Sequence, residues 1–127
     1  MIGIVLVTHG KLGLEFISAV EHVVGKQTQI ASVSIGGADQ MEERRAEILA
    51  NIRAVDTGEG VVILTDMFGG TPSNLALSIV GQAKVRVISG ANLPTLIKLV
   101  ELRDKEGLDA LAKAAHEAGR KYITLTE

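Results

Sequence analysis

Short apolar runs alternate with amphipathic stretches along this whole chain, and that alternation constrains its fold more than any single residue does. The runs fall near 2–8, 29–35, 60–66, 84–89 and 122–126. Each is short and most are rich in β-branched residues, so each reads as a strand. Between them, the stretches near 11–24, 39–55, 72–81, 93–104 and 108–119 carry apolar residues at helical spacing. In the second stretch, Met41, Ile48, Leu49, Ile52 and Val55 make one stripe, while Glu42, Glu43, Arg44 and Glu47 lie largely off it. Gly25, Gly58, Gly81 and Gly107 punctuate the predicted helix ends.

Alternating strands and helices over this length imply βαβ units. The predicted fold is α/β: a doubly wound, mostly parallel sheet with helices on both faces. The first and third runs are nearly all apolar, as strands buried on both faces require. The run 122–126 is more polar and is placed at a sheet edge. In the common order 2-1-3-4, the first and third strands lie side by side.

Composition narrows the class further. The 127 residues suffice for one domain, 1–127, with a proper core. That core must be aliphatic, since the chain has two Phe, one Tyr and no Trp. The absence of Cys excludes thiolate metal sites and a cysteine nucleophile. A net charge of −2 with no long run of either sign argues against nucleic-acid binding. No stretch approaches the ~20 apolar residues of a membrane span, and the N-terminus lacks the basic region of a signal peptide. The reading is a cytoplasmic protein. No acidic cluster suits a metal ion, and no cofactor is expected.

The chemistry concentrates where strands give way to helices. Thr8-His9-Gly10 follows the first apolar run, and Val61-Val62-Ile63-Leu64-Thr65-Asp66 ends the third. In the order 2-1-3-4, His9 and Asp66 emerge beside each other at the ligand-binding edge of the sheet. A carboxylate that accepts one ring N–H fixes the imidazole tautomer and leaves the other nitrogen free as a nucleophile. After Asp66 come Met67-Phe68-Gly69-Gly70-Thr71-Pro72-Ser73-Asn74. The two glycines permit close backbone approach to a ligand, Pro72 suits a first helical turn, and Thr71 reads as its N-cap. Helix starts here and after Gly10 offer an anion site. Together these features suggest a phosphoryl group carried on histidine.

Plainer readings stand beside these. Taken alone, His9 reads as a solvated turn residue and Asp66 as a helix cap; the paired blocks favour function. Met67 and Phe68 fit either the core or a docking surface. His22, His116 and Lys11 read as solvated, with attraction of phosphate by Lys11 a minority reading.

These blocks, with the later Ile88-Ser89-Gly90-Ala91-Asn92-Leu93-Pro94, resemble the IIA domain of the mannose class (mannose, fructose and sorbose) of the bacterial phosphoenolpyruvate-dependent sugar phosphotransferase system. The resemblance covers essentially the whole chain. It implies that His9 accepts phosphate from the phosphocarrier HPr and passes it to a IIB partner, with Asp66 orienting the ring. It implies that Thr71 helps hold the phosphate oxygens, within the cradle that the residues themselves suggest from Gly10, Gly69, Gly70 and Ser73; Lys11, Met67 and Phe68 are the candidate docking residues. It also implies a homodimer in which the final strand, 122–126 here, is exchanged and runs antiparallel.

Two departures qualify the resemblance. Many members carry a IIB domain after a linker, whereas this sequence stops at Glu127, so a separate IIB protein is expected. Met67 stands where sugar-transporting members commonly have a small polar residue. Two neighbouring functions share the pattern: the phosphotransfer subunit of dihydroxyacetone kinase, and a free-standing regulatory IIA protein whose phosphorylation state a partner reads. A hydrolase using His9 is weaker, because no further catalytic acid is evident.

Overall fold

The computed structural model describes residues 1–127. Its strands are β1 (Gly3–His9), β2 (Ile30–Ile35), β3 (Val61–Thr65) and β4 (Val85–Ser89). They pair in parallel in the order β2-β1-β3-β4, the common doubly wound order expected for such a sheet. The helices are α1 (Leu12–Val24), α2 (Met41–Val55), α3 (Gly70–Leu77), α4 (Leu93–Leu102) and α5 (Leu108–Lys121).

Alternation along the two central strands divides the core between the faces of the sheet. Val5, Val7, Val61 and Ile63 pack with Ile48 and Ile52 of α2 and with Leu75 of α3. Ile4, Leu6, Val62 and Leu64 pack with Val20 of α1, Leu96 and Leu99 of α4, and Leu111 of α5. Each such side chain contributes about 1.5–3 kcal/mol by leaving water, so an all-aliphatic core suffices without large aromatics.

Polar contacts then fix the connections. Asn92 accepts the Thr95 N–H at 3.0 Å as the cap of α4, and its amide donates to the Gly119 carbonyl at 2.9 Å, tying α4 to α5. Arg103 is 2% exposed and has no carboxylate in contact with its guanidinium. It donates instead to the carbonyls of Thr28 and Gln29 and to Oε1 of Gln27, pinning the α1–β2 loop. Burial holds its pKa below the ordinary value, against the opposing charge of Asp104.

Four features differ from the sequence expectation. The expected fifth strand is not formed within the chain: α5 continues to Lys121 and residues 122–127 extend into solvent without reaching the sheet. The third helix begins at Gly70, two residues early, and its N-cap is Gly69 instead of Thr71. Successive positive φ angles of 85° at Gly69 and 80° at Gly70 turn the chain into the helix before Thr71 is reached. The same helix stops at Leu77, where the Ser78 hydroxyl turns back to the Leu75 carbonyl. Gly107 opens α5 instead of closing α4, and Asp56 takes the C-cap position of α2 ahead of Gly58.

Candidate functional site

Parallel pairing of Val7 with Thr65 carries the next residues of β1 and β3 out of the same end of the sheet. His9 and Asp66 therefore meet although 57 positions separate them. Oδ2 of Asp66 lies 2.8 Å from Nδ1 of His9 and also accepts the His9 backbone N–H at 2.9 Å. Oδ1 accepts the Met67 N–H at 3.1 Å. Burial alone pushes the Asp66 carboxyl up. The His9 backbone N–H, the ring contact and the charge of His9 outweigh that and hold it below its ordinary value of 3.8.

An ionised carboxylate only accepts, so Nδ1 is the donor, and in the neutral imidazole Nε2 keeps its lone pair. The Asp66 side chain is 10% exposed and that of His9 50%. The carboxylate is thus shielded while the ring is open to a reactant arriving from outside.

The loop into α3 lies against that open nitrogen. A Cβ built on Gly70 would sit 3.4 Å from Cε1 and 3.6 Å from Nε2 of His9, so bare backbone faces the ring there. The N–H groups of Phe68 and Gly69 have no acceptor in the protein. Those of Gly70 and Thr71 open α3, where an intrahelical partner is lacking and no side chain caps the helix. Gly70 thus brings a loop with free backbone donors, and the start of a helix, against a nucleophilic imidazole, an arrangement that can hold a phosphoryl group on Nε2.

Other residues singled out in the sequence are placed differently. The Gly10 N–H is already donated to the Ile35 carbonyl at 3.0 Å. Ser73 is fully buried and its hydroxyl has no hydrogen-bond partner, so it does not face solvent beside the ring. Thr71 is half-buried and shares a cleft with Met41, Arg45 and Asn74. Met67 and Phe68 are 54% and 78% exposed, which removes them from the core; Lys11 is exposed at the start of α1, and His22 and His116 are exposed too.

Two supporting residues escaped the sequence reading. The Thr8 hydroxyl accepts the Gly13 N–H at 2.8 Å and seats the start of α1. The Thr65 carbonyl accepts the N–H groups of Gly90 and Ala91, tying the β4–α4 turn to the Asp66 loop. For Thr8 the available signal was a polar residue at the end of an apolar strand; the Thr65 contacts are made by its backbone carbonyl, which no residue type announces. No group of three or more His, Cys, Asp or Glu residues is placed to hold a metal ion. No helix is long and apolar enough to cross a membrane.

Comparison with known proteins agrees with this architecture. A family model described as "PTS system fructose IIA component" matches residues 3–116. The PTS system mannose-specific EIIAB component of Escherichia coli (strain K12) is 31% identical over 124 residues, 96% of this chain. The chain spans 38% of that relative's length. The PTS system fructose-specific EIIA component of Bacillus subtilis (strain 168) is 23% identical over 112 residues, 87% of this chain and 77% of that protein. Among solved structures, the mannose/sorbose specific IIA subunit from Enterococcus faecalis superposes with a TM-score of 0.88 at 26% identity. That match covers 99% of this chain and 95% of the other.

Proposed function

The chain belongs to the mannose-class IIA family of the sugar phosphotransferase system, and from that premise we propose that His9 carries a phosphoryl group from HPr to a IIB protein during sugar uptake. The observation that carries the proposal is the double acceptance by Asp66 Oδ2, which leaves Nε2 of His9 bare beside the unpartnered N–H groups of the 68–71 loop.

In this reading Nε2 attacks the phosphorus of a phosphohistidine on HPr. The new N–P bond forms as the donor's N–P bond breaks in line, and the donor's electron pair returns to its own ring. His9 then holds both the phosphoryl group on Nε2 and its proton on Nδ1, so its ring is positive. Asp66 balances that charge, and the backbone donors of Phe68 to Thr71 meet the phosphoryl oxygens, with the Thr71 hydroxyl alongside. Such a transfer depends chiefly on positioning and charge stabilisation. The second step is the same displacement by a histidine or cysteine of a IIB partner. Met67 and Phe68, large and exposed in the loop that follows Asp66, suit protein docking. The protein acts in the cytoplasm as a homodimer, with residues 122–126 of each subunit added antiparallel to the sheet of the other.

The test is charging by phosphoenolpyruvate, enzyme I and HPr. Acid-labile label is expected on wild type and absent from His9→Ala. An unlabelled wild type in the presence of charged HPr sinks the proposal. Offering the labelled protein a IIB protein and, separately, dihydroxyacetone-kinase subunits identifies the acceptor.

A further inference from the structure

Three buried side-chain polar atoms lack a hydrogen-bond partner, on Ser32, Arg44 and Ser73, and of these residues only Ser73 is itself fully buried. A buried hydroxyl without a partner loses its bonds to water and gains none in exchange, so its presence needs a reason. Ser73 sits in the first turn of α3, the helix into which the 68–71 loop leads.

That turn is open where those of the other helices are closed. In α1, α2, α4 and α5 a backbone N–H reaches the N-cap carbonyl: Glu15 to Lys11 at 3.1 Å, Arg44 to Gln40 at 3.1 Å, Leu96 to Asn92 at 3.2 Å and Leu111 to Gly107 at 2.9 Å. In α3 the corresponding bond, from the Ser73 N–H to the Gly69 carbonyl, is not made in hydrogen-bonding geometry, and no other backbone N–H reaches that carbonyl. An empty acceptor thus lies four residues before an idle hydroxyl, the spacing at which a serine side chain bonds back to the preceding turn.

We propose that Ser73 is a positioning residue: once a phosphoryl group is on His9, the Ser73 hydroxyl donates to the Gly69 carbonyl and fixes the loop around the phosphate. The proposal rests on the phosphocarrier reading above and goes beyond it in giving the cradle an open and a closed form. The Gly69 C=O and the Gly70 N–H belong to one planar peptide and point in opposite directions. Holding the carbonyl along the helix, toward Ser73, therefore aims the Gly70 N–H outward from the helix start. A Cβ on Gly70 would lie 3.6 Å from Nε2 of His9, so this N–H is the donor set nearest the phosphoryl oxygens. With φ of 85° and 80°, both glycines occupy a region where the missing side chain leaves the peptide between them free to pivot. Ser73 itself never meets the phosphate, because it is buried behind the turn.

The experiment compares wild type, Ser73→Ala and a control, Ser78→Ala, whose hydroxyl is already bonded to the Leu75 carbonyl at 2.7 Å. Charging is followed across a range of phospho-HPr concentrations, urea unfolding is measured on uncharged protein, and the Gly69 carbonyl carbon is read by NMR before and after charging. Uncharged Ser73→Ala is expected to be at least as stable as wild type, since no bond is lost. Its maximal charging rate falls roughly fivefold, the equivalent of one neutral hydrogen bond, at an unchanged half-saturating HPr concentration. Ser78→Ala loses stability and charges normally. On charging, the Gly69 carbonyl resonance moves downfield in wild type and in Ser78→Ala, and stays behind in Ser73→Ala. A wild-type rate in Ser73→Ala, a slower rate matched by lost stability, or the same Gly69 shift in both proteins overturns the proposal while the phosphocarrier reading stands. A wild type that takes no label from charged HPr removes that reading, and the role of Ser73 with it.

Discussion

One oxygen of Asp66, Oδ2, accepts from His9 twice, at 2.9 Å from the backbone nitrogen and at 2.8 Å from Nδ1. The carboxylate therefore sets both where the residue sits and how its ring is turned. An amide cannot serve all three contacts: with its oxygen toward His9 the Asn NH2 is set against the Met67 N–H that Oδ1 now accepts, and turned over it faces Nδ1 as a donor and favours the wrong tautomer. Asp66→Asn is expected to keep the fold and slow the charging of His9 roughly 10²-fold. Single-turnover labelling from phospho-HPr measures this, and an unchanged rate removes the orienting role.

The same carboxylate links stability to acid. Its folded pKa lies below the ordinary 3.8, so the native state holds its proton less tightly than the unfolded chain does. The stabilisation is complete above that ordinary value and disappears as pH falls through the folded one. Urea midpoints of wild type are expected to fall more steeply than those of Asp66→Asn between about pH 5 and pH 2. Parallel curves contradict the linkage.

Gly70 combines a φ of 80° with a Cα set against the His9 ring. In Gly70→Ala a methyl group lies 3.6 Å from Nε2, in the approach a phosphoryl group needs. Backbone strain adds about 1–2 kcal/mol. Gly81→Ala is the control: φ is 104° there, but nothing lies within 4 Å. Both variants are expected to lose similar stability in thermal unfolding, and Gly70→Ala alone to lose charging, by about tenfold or more. Equal charging by the two shows that the space beside the ring is not used.

Arg103 acts far from His9, at the end of the sheet where its carbonyl accepts the Ile2 N–H ahead of β1. Its removal leaves the carbonyls of Thr28 and Gln29 without their side-chain donor. Arg103→Ala is expected to cost about 3 kcal/mol by urea unfolding with the slope unchanged. Charging of His9 should persist, and a loss under about 0.5 kcal/mol, the scale of ordinary surface substitutions, contradicts the pinning role.

Much of this was legible from local pattern. The aliphatic runs at 2–8 and 60–66 mark the two central strands, since only strands covered on both faces tolerate unbroken Val, Ile and Leu. The adjacency of His9 and Asp66 follows from placing those strands side by side. The start of α3 was not legible in that way. Pro72 correctly signals a first turn, but the residue that opens it depends on the two left-handed glycines, whose conformation no local pattern dictates. Nor do Thr8 and Thr65 announce themselves, because their hydrogen bonds reach elements that other parts of the chain bring to them.

By itself, then, the sequence determined the succession of strands and helices, the buried faces and the residues that arrive at the functional edge. These depend on periodicities of two and 3.6 residues, written locally. The tertiary structure alone decided that one Asp66 oxygen would serve two His9 donors, that the Gly10 N–H would be taken by Ile35 while those of Phe68 and Gly69 stayed free, and that Phe68 would line the open edge of β4. Each of these is a matter of ångströms between segments distant in the chain, set by how helices and sheet pack together and carried by no single stretch of residues.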